Sequence, residues 1–578
     1  MEKSSIYQCF REIADRYGSK QALLFKHKQN WKSITYKKLL LLVDNFSQNL
    51  SEIGVNPGDK AAILSENRPE WLISDLALNK SGAISVPIHI TSSKDDIQYI
   101  INDSKSKYLI VSSSILRDNP ELLEADDFKK IIVFNLNKFK KSLKKQKNFE
   151  KWLKNKEFLK NFAVLAKTRP NQPSSKLNYK PNTNDVTSIV YTSGTTGKPK
   201  GVMLTNKNFI SNVSAVTQVI KIRPDDLFYS FLPLSHVLER TAGSYSAILS
   251  GASIAYSSSI KKLSAELPQI NPTILISVPK IFEKIFEKIS QNLKTSGDLK
   301  KKMFFWALRK KNKAYQNFIA EKLILNRIKK KIFGKNLRFA VSGGASISKS
   351  IIKFFDGLSV AIIEGYGLTE TAPIITVNPL KGRKLGSVGK PIKNVEIKTS
   401  KNKEILVKGS NVFGGYWQKE NLNKEVFTQN GWFKTGDLGF IDNENYLTII
   451  GRKKDIIVTS NGKNIAPNKI ECLINLSPLV SHSIVIGHQR KYLSALISPN
   501  VAIKKSDNLK MKEYEELINK EIAKINKKLS HFERIKKIKV INNPFSIEKG
   551  ELTPTLKIRR KIIEARYKKV IEKMYQEF

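Results

Sequence analysis

The chain has 578 residues, 40% of them hydrophobic, and 100 Lys plus Arg stand against 51 Asp plus Glu, a formal net charge of +49. That length exceeds a single core and suits about two to four domains at roughly 150 residues each, while the apolar fraction, with aromatics along the whole chain, excludes global disorder. Two distant cysteines, Cys9 and Cys472, with no Cys/His cluster, exclude a disulfide framework and a zinc site and fit a reducing, cytosolic setting.

The start has no basic segment followed by an apolar one, and no run approaches the ~20 apolar residues a membrane span needs, so neither a signal peptide nor a transmembrane helix is expected. The positive charge would attract any polyanion, whether nucleic acid, anionic lipid or acidic protein. The excess is mostly lysine and comes with many Asn and Ile residues, a bias of AT-rich coding sequences, so a solvated lysine surface also accounts for it.

In chain order, the turn Asn56-Pro57-Gly58-Asp59 feeds an apolar strand from Ala61 to Leu64 and then a helix carrying Trp71, Leu72, Leu76 and Leu78, an α/β texture. Lys138 to Lys160 reads as an exposed excursion and Thr168 to Asp185 as a connector. The β-branched run Val186, Thr187, Ile189 and Val190 predicts a strand, and Thr205 or Asn206 caps a helix with Phe209, Ile210, Val213 and Val216 on one face. Leu232-Pro-Leu234 reads as a strand leading to His236. Between Lys300 and Lys335, apolar residues recur at roughly helical spacing among lysines, which fits either packing onto the large region or an interfacial basic helix on an anionic membrane.

Leu337, Phe339 and Val341 alternate as a strand into the loop Ser342-Gly343-Gly344-Ala345. Beyond Gly451-Arg452 come short strands, Ser483 to Ile486 and Leu493 to Ile497, and a helix with Leu517, Ile518, Ile522, Ile525 and Leu529 on one face. The expected fold class is α/β: a large N-terminal region of several packed sheets and helices, residues 1–451, then a small mobile α+β domain, residues 452–578.

The strongest motif is Tyr191-Thr-Ser-Gly-Thr-Thr-Gly-Lys-Pro-Lys-Gly-Val202, in which small residues let backbone N–H groups face an anion while hydroxyls and lysines add donors. It is not a Walker A loop, because Gly194 and Gly197 are too close and Pro199 stands where a magnesium-binding Ser or Thr is needed. Here the chain resembles the AMP-forming acyl-CoA synthetases. Further matches follow in that family's order: Leu232-Pro-Leu-Ser-His236-Val-Leu-Glu-Arg240, Val278-Pro-Lys-Ile-Phe-Glu283, Ser342-Gly-Gly-Ala345, Gly365-Tyr-Gly-Leu-Thr-Glu370, Gly431-Trp-Phe-Lys-Thr-Gly-Asp437, Gly451-Arg452 and Thr553-Pro-Thr-Leu-Lys557. The segment Ile63 to Trp71 looks like the long-chain branch.

The resemblance implies a ligase that joins a fatty acid to ATP as an acyl-adenylate and passes the acyl group to CoA, or alternatively to acyl carrier protein, with Mg²⁺ as metal. By resemblance Thr192, Ser193, Gly194, Thr195, Thr196, Gly197 and Lys198 hold the β/γ-phosphates. Gly344, Ala345, Tyr366, Gly367 and Thr369 surround the nucleotide, Asp437 and Arg452 hold its ribose, and Glu370 binds Mg²⁺. Lys557 reaches the reacting carboxylate and α-phosphate from the small domain, His236 lines the acyl pocket, Lys454 is the pivot and Gly462 admits the thiol arm. Some relatives place an aromatic gate four residues after the histidine; this chain has Arg240 there, so no gate is carried over. Expected partners are fatty acid and CoA or acyl carrier protein, with peripheral contact on the inner face of the membrane. No specific nucleic acid is expected, since no helix-turn-helix, zinc-finger or RNA-binding signature occurs. A remote alternative is a polyanion-binding protein built on a ligase scaffold.

Overall fold

The computed structural model describes residues 4–123, 128–137, 139, 159–168, 179–192, 198–294, 297–298, 302–304, 325–506, 510–553 and 556–576. The loop residues Ser193, Gly194, Thr195, Thr196 and Gly197 lie outside these, as do Pro554, Thr555 and most of the two basic stretches.

Two large sheets form the body of the large region. A seven-stranded sheet runs Leu159–Asn161, Lys130–Phe134, Tyr108–Ser112, Lys60–Leu64, Ile84–Pro87, Val186–Thr192, Lys200–Thr205. Every pairing is parallel except the last, an antiparallel pair whose two strands are joined in sequence by the Gly/Ser/Thr motif. A nine-stranded sheet has the parallel centre Ala361–Gly367, Phe339–Ser342, Ile274–Ser277, Leu227–Ser230, Ser253–Tyr256, Gln21–His27, with antiparallel strands at both ends. Strands such as Tyr108–Ser112 and Phe339–Ser342 are buried at every position, because helices and the neighbouring sheet cover both faces. For that reason the alternation read from Leu337 to Val341 does not set a wet face; Leu337 is itself buried, ahead of the strand.

The helix Asn206–Ile220 follows the hairpin at once. Thr205 accepts from the Asn208 N–H, and the Asn208 side chain returns a bond to the Thr205 N–H, a reciprocal cap that starts the helix where the strand ends. Its buried face, Phe209, Ile210, Val213, Val216 and Ile220, locks it to the core, each large side chain contributing about 1.5–3 kcal/mol of burial.

A four-stranded antiparallel sheet, Val395–Thr399, Glu404–Gly409, Phe433–Ile441, Leu447–Arg452, closes the large region. Two separate hydrophobic clusters are built wholly from residues at or beyond Ile457. They enclose the sheet Val480–Ile486, Leu493–Pro499, Ile535–Val540 and the helix Met511–Asn526. Leu529 falls beyond that helix, although it is buried, because the chain turns after Asn526.

One further expectation is corrected. Leu232-Pro-Leu234 is not a strand: pairing stops at Ser230 and the chain turns, with the His236 N–H donating to the Pro233 carbonyl at 2.9 Å. Pro233 has no N–H to offer a ladder. In the basic segment, Phe304, Leu325 and Phe333 belong to the main core, as packing onto the large region requires; Phe305, Leu308, Phe318 and Leu323 lie outside the described residues. Among the described residues no helix is long and apolar enough to cross a membrane.

Candidate active site

The hairpin Val186–Thr192/Lys200–Thr205 is braced from two sides. Trp417 donates its backbone N–H to the Gly201 carbonyl at 2.7 Å, and a Cβ on Gly201 would meet Ile189 at 2.7 Å and Trp417 at 3.3 Å, pressing on both the partner strand and the 413–417 loop. Tyr191 donates to Asp103 at 2.6 Å, and Lys198, just after the turn, sits 5.0 Å from the Tyr99 ring centre, over a face that attracts cations. Thr192 and Lys198 thus stand where the described hairpin leaves off and resumes.

The wall opposite is built by strand ends of the larger sheet. Gly344, after the strand Phe339–Ser342, has φ +82°, which a side chain would strain, and the adjacent Ala345 is exposed. Tyr366 and Gly367 end the strand Ala361–Gly367, and a Cβ on Gly367 would lie 1.7 Å from the Pro373 carbonyl oxygen, so this glycine is demanded by packing alone. Thr369 and Glu370 follow in a single 3₁₀ turn. Asn212 and Asn411 hold that turn: each side-chain amide donates to both the Thr371 and Ile374 carbonyls, at 2.8–3.1 Å. Glu370 accepts from the Tyr416 hydroxyl at 2.7 Å.

Asp437 and Arg452 are cross-strand partners in the four-stranded sheet, with Arg452 Nε 3.0 Å from Asp437 Oδ1. The other carboxylate oxygen accepts from the Tyr366 hydroxyl at 2.8 Å. Asp437 is 4% exposed, and burial pushes its carboxyl up despite Arg452 and Tyr366. A carboxylate has about four lone-pair sites, so two contacts leave it able to accept from a ligand hydroxyl.

Lys557 comes into this group from the small region. Its Cε and Nζ lie 3.7 and 3.8 Å from where a Cβ on Gly344 would stand. A tight turn presents it: Thr553 N–H donates to the Lys557 carbonyl at 2.7 Å, Lys557 N–H donates back to Thr553 Oγ1 at 3.0 Å, and Leu556 takes φ +62°. The side chain keeps solvent contact in the cleft, yet the surrounding protein first, and Arg452 second, pull its ammonium down to about 8. Two cations and one buried anion therefore meet at one spot, an arrangement that stabilises negative charge developing beside Lys557.

His236 is half-buried, and its Nδ1 accepts the Leu238 N–H at 3.3 Å. Burial, then Lys557, then His89 hold it down to about 3, so it is neutral at physiological pH. Four residues on, Arg240 is a strut rather than a gate. It is 1% exposed, bonds Asp75 at 3.0 Å, and reaches Ser188 and Ser85 at 2.7 Å each. Ser188 is in the strand that leads to Tyr191, so the segment after His236 and the root of that hairpin share one buried ion pair.

Lys454 is exposed in the 3₁₀ turn Lys453–Asp455, and Gly462 sits in a turn at φ +70° with open space where a side chain would project. Among the described residues neither side chain makes a hydrogen bond or ion pair to Asp437 or Lys557. Tyr416 and His89 went unnoticed in the sequence. His89, one of only six histidines, has a buried Nε2 without a partner and is held down to about 4 by burial; scarcity was its one available signal.

A family model described as AMP-binding enzyme matches residues 10–417, and one described as AMP-binding enzyme C-terminal domain matches residues 454–578. The chain is 31% identical to a long-chain-fatty-acid–CoA ligase of Mycobacterium bovis, covering 94% of this chain and 92% of that one. It is 28% identical to a chloroplastic long-chain-fatty-acid–[acyl-carrier-protein] ligase of Arabidopsis thaliana, covering 99% and 87%. The adenylation domain of a carboxylate reductase from Mycobacterium chelonae superposes with a TM-score of 0.83 at 21% identity, covering 99% of this chain and 91% of that one. ATP-bound MatB from Rhodopseudomonas palustris gives 0.73 at 21%, covering 98% and 99%. At such identities the two structures establish a shared fold.

Proposed function

Because the chain belongs to the AMP-binding enzyme family, we propose that it is a long-chain fatty-acid ligase that uses ATP and CoA. The fatty carboxylate attacks the α-phosphorus of ATP, and pyrophosphate leaves to give acyl-AMP. The CoA sulfur then attacks the acyl carbon, giving the thioester and AMP, with the thiol proton going to solvent or base. The observation that carries this reading is the convergence of Lys557 on Gly344, Asp437 and Arg452, which supplies positive charge where two anions must meet.

In this reading Asp437 accepts the ribose hydroxyls, Arg452 donates to the same nucleotide, and Tyr366 borders the adenine beside Gly344 and Ala345. Thr192 to Lys198 embrace the leaving pyrophosphate. Glu370 would hold Mg²⁺ together with phosphate oxygens and water. Among the described residues no set of three or more His, Cys, Asp or Glu is gathered for a metal, which suits Mg²⁺ held largely through substrate phosphates. When bound, the ion neutralises charge on the departing pyrophosphate.

The division into residues 1–451 and 452–578 belongs to the same proposal, supported by the clusters that start at Ile457 and by a single exposed turn at Lys453–Asp455. Lys454 is its pivot. Rotation there would withdraw Lys557 after adenylation and bring the Gly462 turn, with no side chain to obstruct it, toward the thiol channel. His236, neutral and half-buried, lines the acyl end of the cleft.

The test is AMP and thioester formation from palmitate, ATP and Mg²⁺, with CoA and with holo acyl carrier protein in parallel. Thioester with CoA is the expected result. Thioester with carrier protein alone moves the acceptor to that protein, the activity in the name of the Arabidopsis relative. No AMP with any acid from C8 to C18 overturns the reading.

A further inference from the structure

We propose that Lys280, in the helix Pro279–Lys294 of the large region, is a positioning residue for adenylation: its hydrogen bond to the Ser481 carbonyl holds the small region where Lys557 enters the cleft. The inference rests on the two-pose ligase reading above.

The bond is 2.7 Å long and joins residues 201 positions apart, one from each region. Lys280 is 12% exposed and is paired on its own helix with Glu283 at 3.1 Å, so its ammonium is already oriented before the small region docks. A charged donor to a backbone carbonyl, shielded from water, is among the stronger hydrogen bonds available at such a seam. Glu283 also lies within electrostatic reach of Cys472, in the helix Pro467–Ile474 of the small region.

What lies behind Ser481 links this seam to the cleft. His482 is 8% exposed, with Nδ1 3.1 Å from Ser481 Oγ and a buried Nε2 that has no partner at hydrogen-bonding distance. Lys280 and Lys284 lie close enough to disfavour its protonated form, and the Leu556 backbone close enough to favour it. Leu556 is the left-handed residue immediately before Lys557, in the turn that the Leu552–Ile558 bridge closes. A push or pull at Ser481 is thus passed through one buried ring to the turn that carries the reactive lysine. Lys280 touches no part of the Gly344–Asp437–Arg452 group, so its effect on the reaction comes through the pose. In the thioester-forming pose the small region has turned away and this bond has no role.

The experiment separates the half-reactions in the full-length protein. ATP–pyrophosphate exchange with palmitate reads adenylation, and thioester formation from separately synthesised palmitoyl-AMP and CoA reads the second step. Lys280→Met should slow exchange about tenfold, the effect of losing one charge-assisted hydrogen bond, while the second step changes less than about twofold. Lys280→Arg, which can still donate to the carbonyl, should restore most of the exchange. Equal loss in both half-reactions, or an unchanged exchange rate, would show that Lys280 is merely structural or idle and overturn the proposal. Exchange absent from the wild-type protein with every acid tried would instead overturn the ligase reading and this inference with it.

Discussion

Asp437 and Lys557 meet in one cleft but are held in opposite ways. Asp437 belongs to a sheet: Arg452 faces it across a strand pair, and Tyr366 bonds it from a strand end of the nine-stranded sheet, so all three stand on sheet strands of the large region's wall. Lys557 belongs to a region with cores of its own and follows Leu556, a residue in the left-handed conformation. A group fixed in the wall can serve every step of a reaction, whereas a delivered group can serve one step and then leave. The contrast predicts that substitutions in the wall alter nucleotide affinity throughout, and that substitutions in the delivered turn alter one half-reaction.

The sharpest way to break that contrast is Lys557→Ala. Pyrophosphate exchange should fall by about 10²–10³, the usual cost of removing one preorganised charge from a transition state, while thioester formation from supplied acyl-AMP stays intact. Loss of both steps together would mean that Lys557 is as fixed as Asp437. Next is Arg240→Met, which leaves Asp75 buried without its partner and should lower unfolding free energy by about 3–5 kcal/mol in denaturant titration. A small loss would show that the phosphate-loop root does not depend on this ion pair. Asp437→Asn should raise the KM for ATP roughly tenfold with less effect on the rate at saturation, consistent with a ground-state contact.

The smallest effect is in the pH profile. Lys557 is held down to about 8, below the ordinary lysine value of 10.5. It is therefore charged below that pH, and exchange should decline as pH rises past about 8 while the second step does not. The linked stability term has the opposite sign: the unfolded chain binds the extra proton between the two values, so the penalty of burying the charge lifts as pH rises through that window. His236, held down to about 3, should give no limb between pH 5 and 7, so a limb there would mean that another group titrates.

Much of the large region was legible in the sequence because its central strands are short apolar runs and its helices are capped where the strands end, as Thr205 and Asn208 illustrate. The cleft group was legible through its glycines and through the charged residues that the family resemblance singled out. What escaped was decided by partners far along the chain. Tyr416 reaches Glu370 across 46 residues, and Lys280 reaches Ser481 across 201, distances at which spacing carries no information. The Leu232-Pro-Leu234 turn was mistaken for a strand because its apolar residues are buried, as a strand's would be, while Pro233 removes the N–H a ladder needs. Arg240 was visible as a departure from relatives, but only its burial beside Asp75 shows that it replaces a gate with a strut.

Asn212 and Asn411 both aim one amide at the same two carbonyls, those of Thr371 and Ile374, and leave their own side-chain oxygens buried without partners. Only a group that donates twice from one atom satisfies that geometry. Hydrolysis of either amide to a carboxylate would keep the shape, reverse the polarity, and set negative charge against two carbonyl oxygens directly beneath Glu370. An Asn-to-Asp change at either position should therefore loosen the 3₁₀ turn that carries Glu370.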